Sequence, residues 1–141
     1  MKNGEEQKKV LFICTHNSAR SQIAEGLMNT FHLDDYMAWS VGTEPTQVNP
    51  YAIRVMEEVG IDVTGHHSKS MESFQSLDFD YVVTVCDHAN EVCPFFPGGK
   101  ERIHKSFQDP STIEGSEETR LAGFRRVRDE IRAWIEERFG G

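Results

Sequence analysis

The chain has 141 residues, of which 38% are apolar, and this length and composition predict one compact domain with an apolar core. Its formal net charge of -8 argues against a nucleic-acid partner, because binding to a phosphate backbone requires a basic face. No apolar run approaches the roughly 18 residues of a membrane span, and the polar start lacks the apolar segment of a signal peptide. We therefore expect a cytoplasmic protein without a membrane partner, with residues 1–9 as a flexible tail and residues 10–141 as a single domain.

The first predicted elements alternate between strand and helix. Residues 10–13 form a continuous apolar run, which is typical of a strand that is buried on both faces. After a short polar loop, apolar residues recur at helical spacing over residues 19–31. Residues 38–41 predict a second short strand that ends at Gly42. Asn49–Pro50 predicts the start of a second helix, because asparagine caps a helix and proline fits its first position.

The second half of the chain continues this alternation. Residues 71–77 predict a short helix, and the β-branched residues 81–85 predict the next strand. Residues 102–107 predict a last strand, and Ser116 begins a final helix whose first turn carries two acidic side chains at the positive end of the helix dipole. Strands that alternate with helices predict an α/β fold, a three-layer sandwich in which helices flank a central parallel sheet.

A polar segment lies between the first strand and the first helix, at the sheet edge where such folds bind ligands. It reads Cys14-Thr15-His16-Asn17-Ser18-Ala19-Arg20-Ser21 and is called the oxyanion loop here. Backbone N–H groups of such a loop converge on one point, and the helix N-terminus adds positive potential, so a tetrahedral oxyanion fits there. The planar guanidinium of Arg20 can bind two of its oxygens. The same potential favours the thiolate form of Cys14.

Two further loop residues have predicted supporting roles. Ser21 can donate a hydrogen bond to the sulfur of Cys14, and Asn17 suits a left-handed backbone position that holds the loop open. A simpler interpretation treats Cys14 as a buried structural thiol and Arg20 as a surface charge. A nucleotide-binding loop is excluded, because the chain has no Gly-rich Gly-Lys-Ser/Thr signature. Three histidines allow two interpretations, tuning of anion affinity by pH or an ordinary polar position: His16, His66 and His67.

Residues 14–26, Cys-Thr-His-Asn-Ser-Ala-Arg-Ser-Gln-Ile-Ala-Glu-Gly, resemble the thioredoxin-coupled arsenate reductases of the low-molecular-weight protein tyrosine phosphatase superfamily. The resemblance extends through residues 49–50, 60–62, 82–94 and 109–110 to the final helix. It implies the fold of that superfamily and the reduction of arsenate to arsenite. The alternative is a phosphatase that hydrolyses phosphate monoesters through a phosphocysteine intermediate. Phosphatases of the superfamily usually carry a tyrosine after the Asp-Pro at 109–110, where this chain has serine.

The resemblance assigns a disulfide relay to Cys14, Cys86 and Cys93. It implies that Cys14 attacks arsenate, that Cys86 then attacks Cys14 and expels arsenite, and that Cys93 attacks Cys86. The resulting Cys86–Cys93 disulfide would be reduced by thioredoxin or another thiol reductant. An intact helix would separate these two Cα atoms by ~10.5 Å, whereas a disulfide needs about 7 Å or less, so we predict a redox switch at residues 87–96. A space-filling Cys93, a zinc site that includes His16 or His88, and an idle oxyanion-binding or redox-sensing protein remain alternatives.

The resemblance also implies a general acid and, in some of these reductases, a potassium site. Asp109 would protonate the leaving oxygen, although an ordinary Asp-Pro turn also explains this residue. Potassium is held there by an asparagine, a glutamate, a serine and an acidic side chain. Asn17, Glu25 and Ser40 match three of them, whereas Lys69 stands near the fourth, and its ammonium could replace the cation. We therefore expect neither a potassium site nor another cofactor.

Overall fold

The computed structural model describes residues 7–42, 46–66, 68–69, 78–86 and 98–140. Within these ranges, strands and helices follow one another along the chain as predicted. They are β1 (Lys8–Cys14), α1 (Arg20–Phe31), β2 (Tyr36–Gly42), α2 (Pro50–Glu57), β3 (Tyr81–Thr84), β4 (Glu101–His104), a short 3-10 helix (Pro110–Thr112) and α3 (Glu117–Phe139).

The sheet is parallel throughout, with the strand order β2-β1-β3-β4. The central strand β1 pairs with β2, where Phe12 lies opposite Ser40, and with β3, where Leu11 lies opposite Val82. Parallel strands need crossover connections, and in the described part of the chain α1 lies between β1 and β2 and α2 lies between β2 and β3. The carboxyl ends of β1 and β3 consequently meet at the same edge of the sheet.

The residues of β1 alternate between two buried clusters. Val10, Phe12 and Cys14 belong to the larger cluster, which they share with α1, α2 and α3. Leu11 and Ile13 belong to a second cluster on the opposite face of the sheet. All five residues are at most 2% exposed, and burial on both faces explains the uninterrupted apolar run in the sequence. The predicted α/β class, with helices flanking a parallel sheet, is confirmed.

Long-range contacts extend β1 beyond its predicted start. The N–H of Lys8 donates to the carbonyl of Asp35 (3.0 Å), and the N–H of Lys9 donates to Oδ2 of Asp80 (2.8 Å). The strand therefore includes two residues that the sequence assigned to the tail. The hydrogen bond from Lys9, together with the nearby Lys100 ammonium, holds the pKa of Asp80 below its ordinary value despite partial burial.

The helix boundaries follow the predicted capping residues. The side chain of Asn49 accepts from the N–H of Tyr51 (2.8 Å), and that of Ser116 accepts from the N–H of Thr119 (3.2 Å). The predicted last strand is shorter than expected and ends at His104, while the helix predicted at residues 71–77 lies outside the described residues. No helix in the described part of the chain is long and apolar enough to cross a membrane.

Candidate active site

The sulfur of Cys14 lies at the carboxyl end of β1, where the oxyanion loop begins. Cys14 is 2% exposed and is a free thiol. Its Sγ lies 2.9 Å from Oγ of Ser21, which stands in the first turn of α1. This is the contact predicted for Ser21, and it places a hydroxyl group where it can donate a hydrogen bond to a thiolate.

Asn17 determines the shape of the oxyanion loop. It is fully buried and has a φ of 51°, the left-handed conformation predicted for it. Its Nδ2 donates to Oγ of Ser21 (2.8 Å), and its Oδ1 accepts from Nε2 of Gln22 (3.0 Å) and from the N–H of Lys69 (2.8 Å). Its carbonyl oxygen accepts from Nε2 of Gln22 (3.2 Å) and from Oγ of Ser68 (2.8 Å). These bonds hold a backbone conformation that ordinarily costs about 1–3 kcal/mol.

Gly42 ends β2 directly beside the oxyanion loop. Its N–H donates to the carbonyl oxygen of Lys69 (2.8 Å). A Cβ atom at this position would lie 2.6 Å from the carbonyl oxygen of Thr15 and 2.7 Å from the amide nitrogen of Asn17. Both distances are shorter than van der Waals contact, so any side chain at this position would displace the loop. Glycine is therefore required here for the close approach of two backbone segments.

Arg20 is buried at the start of α1. Its side chain is 2% exposed, which rules out the interpretation of Arg20 as a surface charge. One guanidinium nitrogen, Nη1, donates to the carbonyl oxygen of Phe107 (3.2 Å), and another, Nη2, lies 3.6 Å from Oδ2 of Asp109. The N-cap residue Ala19 makes no side-chain capping bond, and such a helix start is suited to binding an anion with its backbone N–H groups.

Asp109 faces Arg20 with one carboxylate oxygen and caps the short 3-10 helix with the other. Its Oδ1 accepts from the N–H of Ser111 (3.0 Å) and from Oγ of Ser111 (2.7 Å). The structure thus contains the ordinary Asp-Pro turn, and it also brings the carboxylate next to the arginine of the oxyanion loop. The placement fits a general acid, and that role stays a prediction.

An open cleft of about 310 Å³ adjoins the oxyanion loop. Its described lining consists of His16, Ser18, Thr46, Gln47, Asn49, Pro50 and Ser111. None of these residues is a phenylalanine, tyrosine or tryptophan, so the imidazole of His16 is the one aromatic ring that this described lining offers to a phosphotyrosine. Ser111, which follows Asp109-Pro110, contributes a small polar side chain to the wall of this cleft.

The sequence profile of the low molecular weight phosphotyrosine protein phosphatase family matches residues 9–139 of this chain. The chain belongs to this family. The matched residues include the whole oxyanion loop, Asp109 and the final helix, which are among the parts that carry the resemblance. The family assignment confirms the phosphatase-like fold predicted from the sequence.

Several relatives within this family are named arsenate reductases. The chain is 45% identical over 125 residues to an arsenate reductase of Halalkalibacterium halodurans, covering 89% of this chain and 90% of the relative. It is 42% identical over 126 residues to an arsenate reductase of Bacillus subtilis, covering 89% and 91%. A solved structure of an arsenate reductase in the phosphate binding state is 34% identical, with a TM-score of 0.75 and coverage of 93% of this chain and 95% of that chain.

A second cysteine of this family member reaches the same edge of the sheet. Cys86 follows β3 by two residues, is fully buried and is disulfide-bonded, whereas Cys14 is a free thiol. Because β1 and β3 are adjacent parallel strands, both residues follow strands that end at one edge. Cys93, His88 and the predicted redox switch at residues 87–96 lie outside the described residues, so the relay stays a prediction.

The candidate potassium ligands already bind one another and Lys69. Oγ of Ser40 donates to Oε1 of Glu25, and Nζ of Lys69 lies 3.6 Å from the same oxygen. Oδ1 of Asn17 accepts two hydrogen bonds. An ammonium group beside the carboxylate repels a further cation, so this set of donors does not fit potassium. Within the described ranges, no three or more His, Cys, Asp or Glu side chains are grouped so that they could hold a metal ion.

Sequence reasoning missed two side chains that hold Asn17 in place, Gln22 and Ser68. Gln22 is 1% exposed and also lies close to His66, whose Nδ1 is 3.0 Å from Oε1 of Gln22. This histidine therefore contacts the support of the loop, while His67 lies outside the described residues. The one sequence feature that could have indicated a supporting role for Gln22 is its position in the first turn of α1, directly after Ser21.

Proposed function

We propose that this protein is an arsenate reductase that converts arsenate to arsenite with Cys14 as the nucleophile. The observation that carries this proposal is the buried free thiol of Cys14, which lies 2.9 Å from Oγ of Ser21 in a loop that ends with the buried Arg20. The relatives with 42% and 45% identity, aligned over about nine tenths of each chain, carry the same name, arsenate reductase. The physiological role would be detoxification of arsenate, or arsenical resistance.

In the proposed first step, arsenate binds to the backbone N–H groups of the oxyanion loop and to the guanidinium of Arg20. The thiolate of Cys14 attacks arsenic, and an arsenic–oxygen bond breaks. Asp109 supplies the proton that lets this oxygen leave as water, because expulsion of hydroxide is costly. Its Oδ2 lies 3.6 Å from the guanidinium that would bind the oxyanion.

In the proposed second step, the thiolate of Cys86 attacks the sulfur of Cys14. The sulfur–arsenic bond breaks, its electron pair stays on arsenic, and arsenite leaves. Cys93 then attacks Cys86 and releases Cys14 as a thiolate, and thioredoxin or another dithiol reduces the Cys86–Cys93 disulfide. A free Cys14 together with a disulfide-bonded Cys86 is the combination that this relay predicts for a protein that awaits its reductant. Such a cycle needs a reducing compartment such as the cytoplasm.

Hydrolysis of phosphate monoesters is the second candidate function, and the family assignment favours it. It would use Cys14, Arg20 and Asp109 through a phosphocysteine intermediate and would not need Cys86. The described lining of the cleft contains no phenylalanine, tyrosine or tryptophan to stack on a phosphotyrosine ring, and the relatives at 42% and 45% identity are named arsenate reductases. We therefore place the reductase first.

The decisive experiment measures arsenate-dependent NADPH oxidation in the presence of thioredoxin and thioredoxin reductase. The wild-type protein is expected to consume NADPH, whereas Cys86→Ser is expected to consume none and to release no arsenite, because the attack of Cys86 on Cys14 is the step that expels it. A parallel assay with glutaredoxin and glutathione identifies the reductant. Turnover of a phosphate monoester that survives Cys86→Ser, in a protein without arsenate-dependent oxidation, would favour the phosphatase.

A further inference from the structure

A line of buried hydrogen bonds connects Gln22 with the sulfur of Cys14. Nε2 of Gln22 donates to Oδ1 of Asn17 (3.0 Å), Nδ2 of Asn17 donates to Oγ of Ser21 (2.8 Å), and that Oγ lies 2.9 Å from Sγ of Cys14. Gln22, Asn17 and Ser21 are each at most 1% exposed. We propose that Gln22 is a positioning residue, which acts through Asn17 and Ser21 to direct a hydrogen bond at the sulfur of Cys14. Since Cys14 is the proposed nucleophile, this role rests on the function proposed above.

The direction of each bond follows from the partners at its ends. The backbone N–H of Lys69 donates to Oδ1 of Asn17 (2.8 Å), which identifies that atom as the oxygen and leaves Nδ2 facing Ser21. Because Nδ2 already donates to Oγ of Ser21, the hydroxyl hydrogen remains for the sulfur of Cys14. A thiolate has no hydrogen of its own and can only accept, so the line ends in a charge-assisted bond to the sulfur.

Gln22 also holds the backbone of Asn17. The carbonyl oxygen of Asn17 accepts from Nε2 of Gln22 (3.2 Å) and from Oγ of Ser68 (2.8 Å). In a trans peptide the N–H points opposite to the carbonyl, so the N–H of Ser18 is directed away from both donors. The amide group of Gln22 therefore fixes both the side chain of Asn17 and the peptide between Asn17 and Ser18. Asn17 is in the left-handed conformation, which needs such support.

At its other end, Gln22 contacts a partly buried histidine. Nδ1 of His66 lies 3.0 Å from Oε1 of Gln22. Because Nε2 of Gln22 donates to Asn17, Oε1 is the acceptor, and His66 supplies the hydrogen. Two substitutions separate the two ends. Gln22→Glu keeps an acceptor for His66 and loses the donor to Asn17, whereas Gln22→Met has a similar length and loses both.

The experiment measures how fast iodoacetamide alkylates Cys14 as a function of pH, with the modified Cys14 peptide quantified by mass spectrometry. Only the thiolate reacts, so the pH at half-maximal rate reports how well the protein stabilises it. Both Gln22→Glu and Gln22→Met are expected to react roughly tenfold more slowly at neutral pH, because one hydrogen bond to the charged sulfur is weakened. The limiting rate at high pH is expected to match that of the wild type.

Asn29→Ala is the matched control on the same helix. Asn29 also makes two hydrogen bonds, from Nδ2 to the carbonyl of Ala38 (3.0 Å) and from the N–H of Ala38 to its Oδ1 (2.8 Å). Its loss is expected to lower Tm and to leave the pH profile of Cys14 unchanged. This control separates an effect on the sulfur from a general loss of stability in α1.

Three results would overturn the proposed role of Gln22. In the first, both Gln22 variants keep the wild-type dependence of Cys14 alkylation on pH, whether or not their Tm is lower, so Gln22 would have no effect on the sulfur. Gln22→Glu could behave as wild type while Gln22→Met is slow, which would assign the effect to His66. A Cys14 that is unreactive at neutral pH in the wild-type protein would instead contradict the proposed nucleophile, and the role of Gln22 with it. Should Gln22→Met fail to fold, Gln22→Leu replaces it, because leucine is also uncharged and also loses both contacts, whereas the negative charge of glutamate could slow Cys14 by itself.

Discussion

Two polar clusters of this protein contain similar bonds in different surroundings. The loop cluster consists of Asn17, Ser21 and Gln22, which are each at most 1% exposed. The helix cluster joins α2 to α3 and consists of Glu58, Arg125 and Arg128. Glu58 accepts hydrogen bonds from Nε and Nη2 of Arg125 and from Nη1 of Arg128, at 2.8–3.0 Å. Glu58 and Arg125 are 36% and 38% exposed, so water competes for the bonds between them, whereas the side chain of Arg128 is 10% exposed.

The difference in burial determines what each cluster can do. A buried donor or acceptor that loses its partner costs about 1–3 kcal/mol, and its neighbours must rearrange. A surface ion pair contributes only about 0.2–1 kcal/mol, because water and salt replace the lost partner. Substitutions in and around the loop cluster should therefore change the chemistry of Cys14, whereas substitutions in the helix cluster should change stability alone.

The largest expected effect comes from Cys14→Ser. The serine hydroxyl is not ionised near neutral pH, so arsenate reduction should fall by about 10⁴-fold or more. The fold should persist, since serine is close in size to cysteine and keeps a polar contact with Ser21. NADPH-coupled turnover and thermal unfolding measure the two quantities. Activity within tenfold of the wild type would contradict the proposed nucleophile.

Arg20→Lys should have the next largest effect. Lysine keeps the positive charge and loses the planar fork that binds two oxygens of an oxyanion and the carbonyl oxygen of Phe107. We expect kcat/KM for arsenate to fall by roughly 10²–10³-fold. Arg125→Lys makes the same chemical change in the helix cluster and should leave kcat/KM unaltered. Equal losses in the two variants would remove the distinction between the clusters.

Asn17→Gly and Asn17→Ala test the left-handed position of the loop. Glycine accepts a φ of 51° without strain, so it loses only the side-chain bonds, at a cost of about 1–3 kcal/mol. Alanine loses the same bonds and should be less stable than glycine by about 1 kcal/mol. Urea unfolding measures the difference. Equal stability of the two variants would show that this backbone conformation carries no strain.

The parts of this site that could be predicted from sequence depend on neighbours along the chain. Cys14, Asn17 and Ser21 lie within eight consecutive residues, and the preference of asparagine for left-handed positions is a local property. The burial of Arg20 depends on Phe107, which lies 87 residues away, and no local pattern contains that information. The support from Ser68 was missed for the same reason, since it is 51 residues from Asn17.

Gln22 and β1 show two other reasons why sequence patterns fall short. Gln22 is a near neighbour of Asn17, but glutamine usually lies on the surface, so its type gives no indication of burial. The strand β1 was predicted from its apolar run, which begins at Val10. Hydrogen bonds from the N–H groups of Lys8 and Lys9 to Asp35 and Asp80 extend it by two residues, and these bonds depend on tertiary contacts.

Potassium should have a small effect or none on the wild-type protein. The ammonium of Lys69 lies 3.6 Å from Oε1 of Glu25, and both side chains are only 14% exposed. We expect equal turnover in potassium and sodium buffers of the same ionic strength. Lys69→Asp supplies the acidic side chain that the resemblance implies for a potassium site, and it should make turnover depend on potassium. Faster turnover of the wild type in potassium than in sodium would contradict the replacement of the cation by Lys69.

The smallest effect is expected from Glu58→Gln in the helix cluster. Hydrogen bonds from Arg125 and then from Arg128 lower the pKa of Glu58 below its ordinary value of 4.5. A lowered pKa of Glu58 stabilises the folded protein whenever this carboxyl is ionised in both the folded and the unfolded protein. Its contribution to the free energy of unfolding is therefore fully present above pH 4.5. It is lost as the pH falls through the lower pKa of the folded protein.

Glu58→Gln should therefore reduce the free energy of unfolding by about 0.5–1 kcal/mol at neutral pH, a range set by the exposure of the pair. The difference between variant and wild type should shrink below about pH 4, where the wild-type carboxyl also becomes protonated. Urea unfolding at several pH values measures this trend, while turnover of arsenate should not change. A difference that stays constant down to about pH 3 would mean that packing, and not charge, links α2 to α3 at this position. A loss of turnover would show that the helix cluster influences Cys14 and would contradict a role in stability alone.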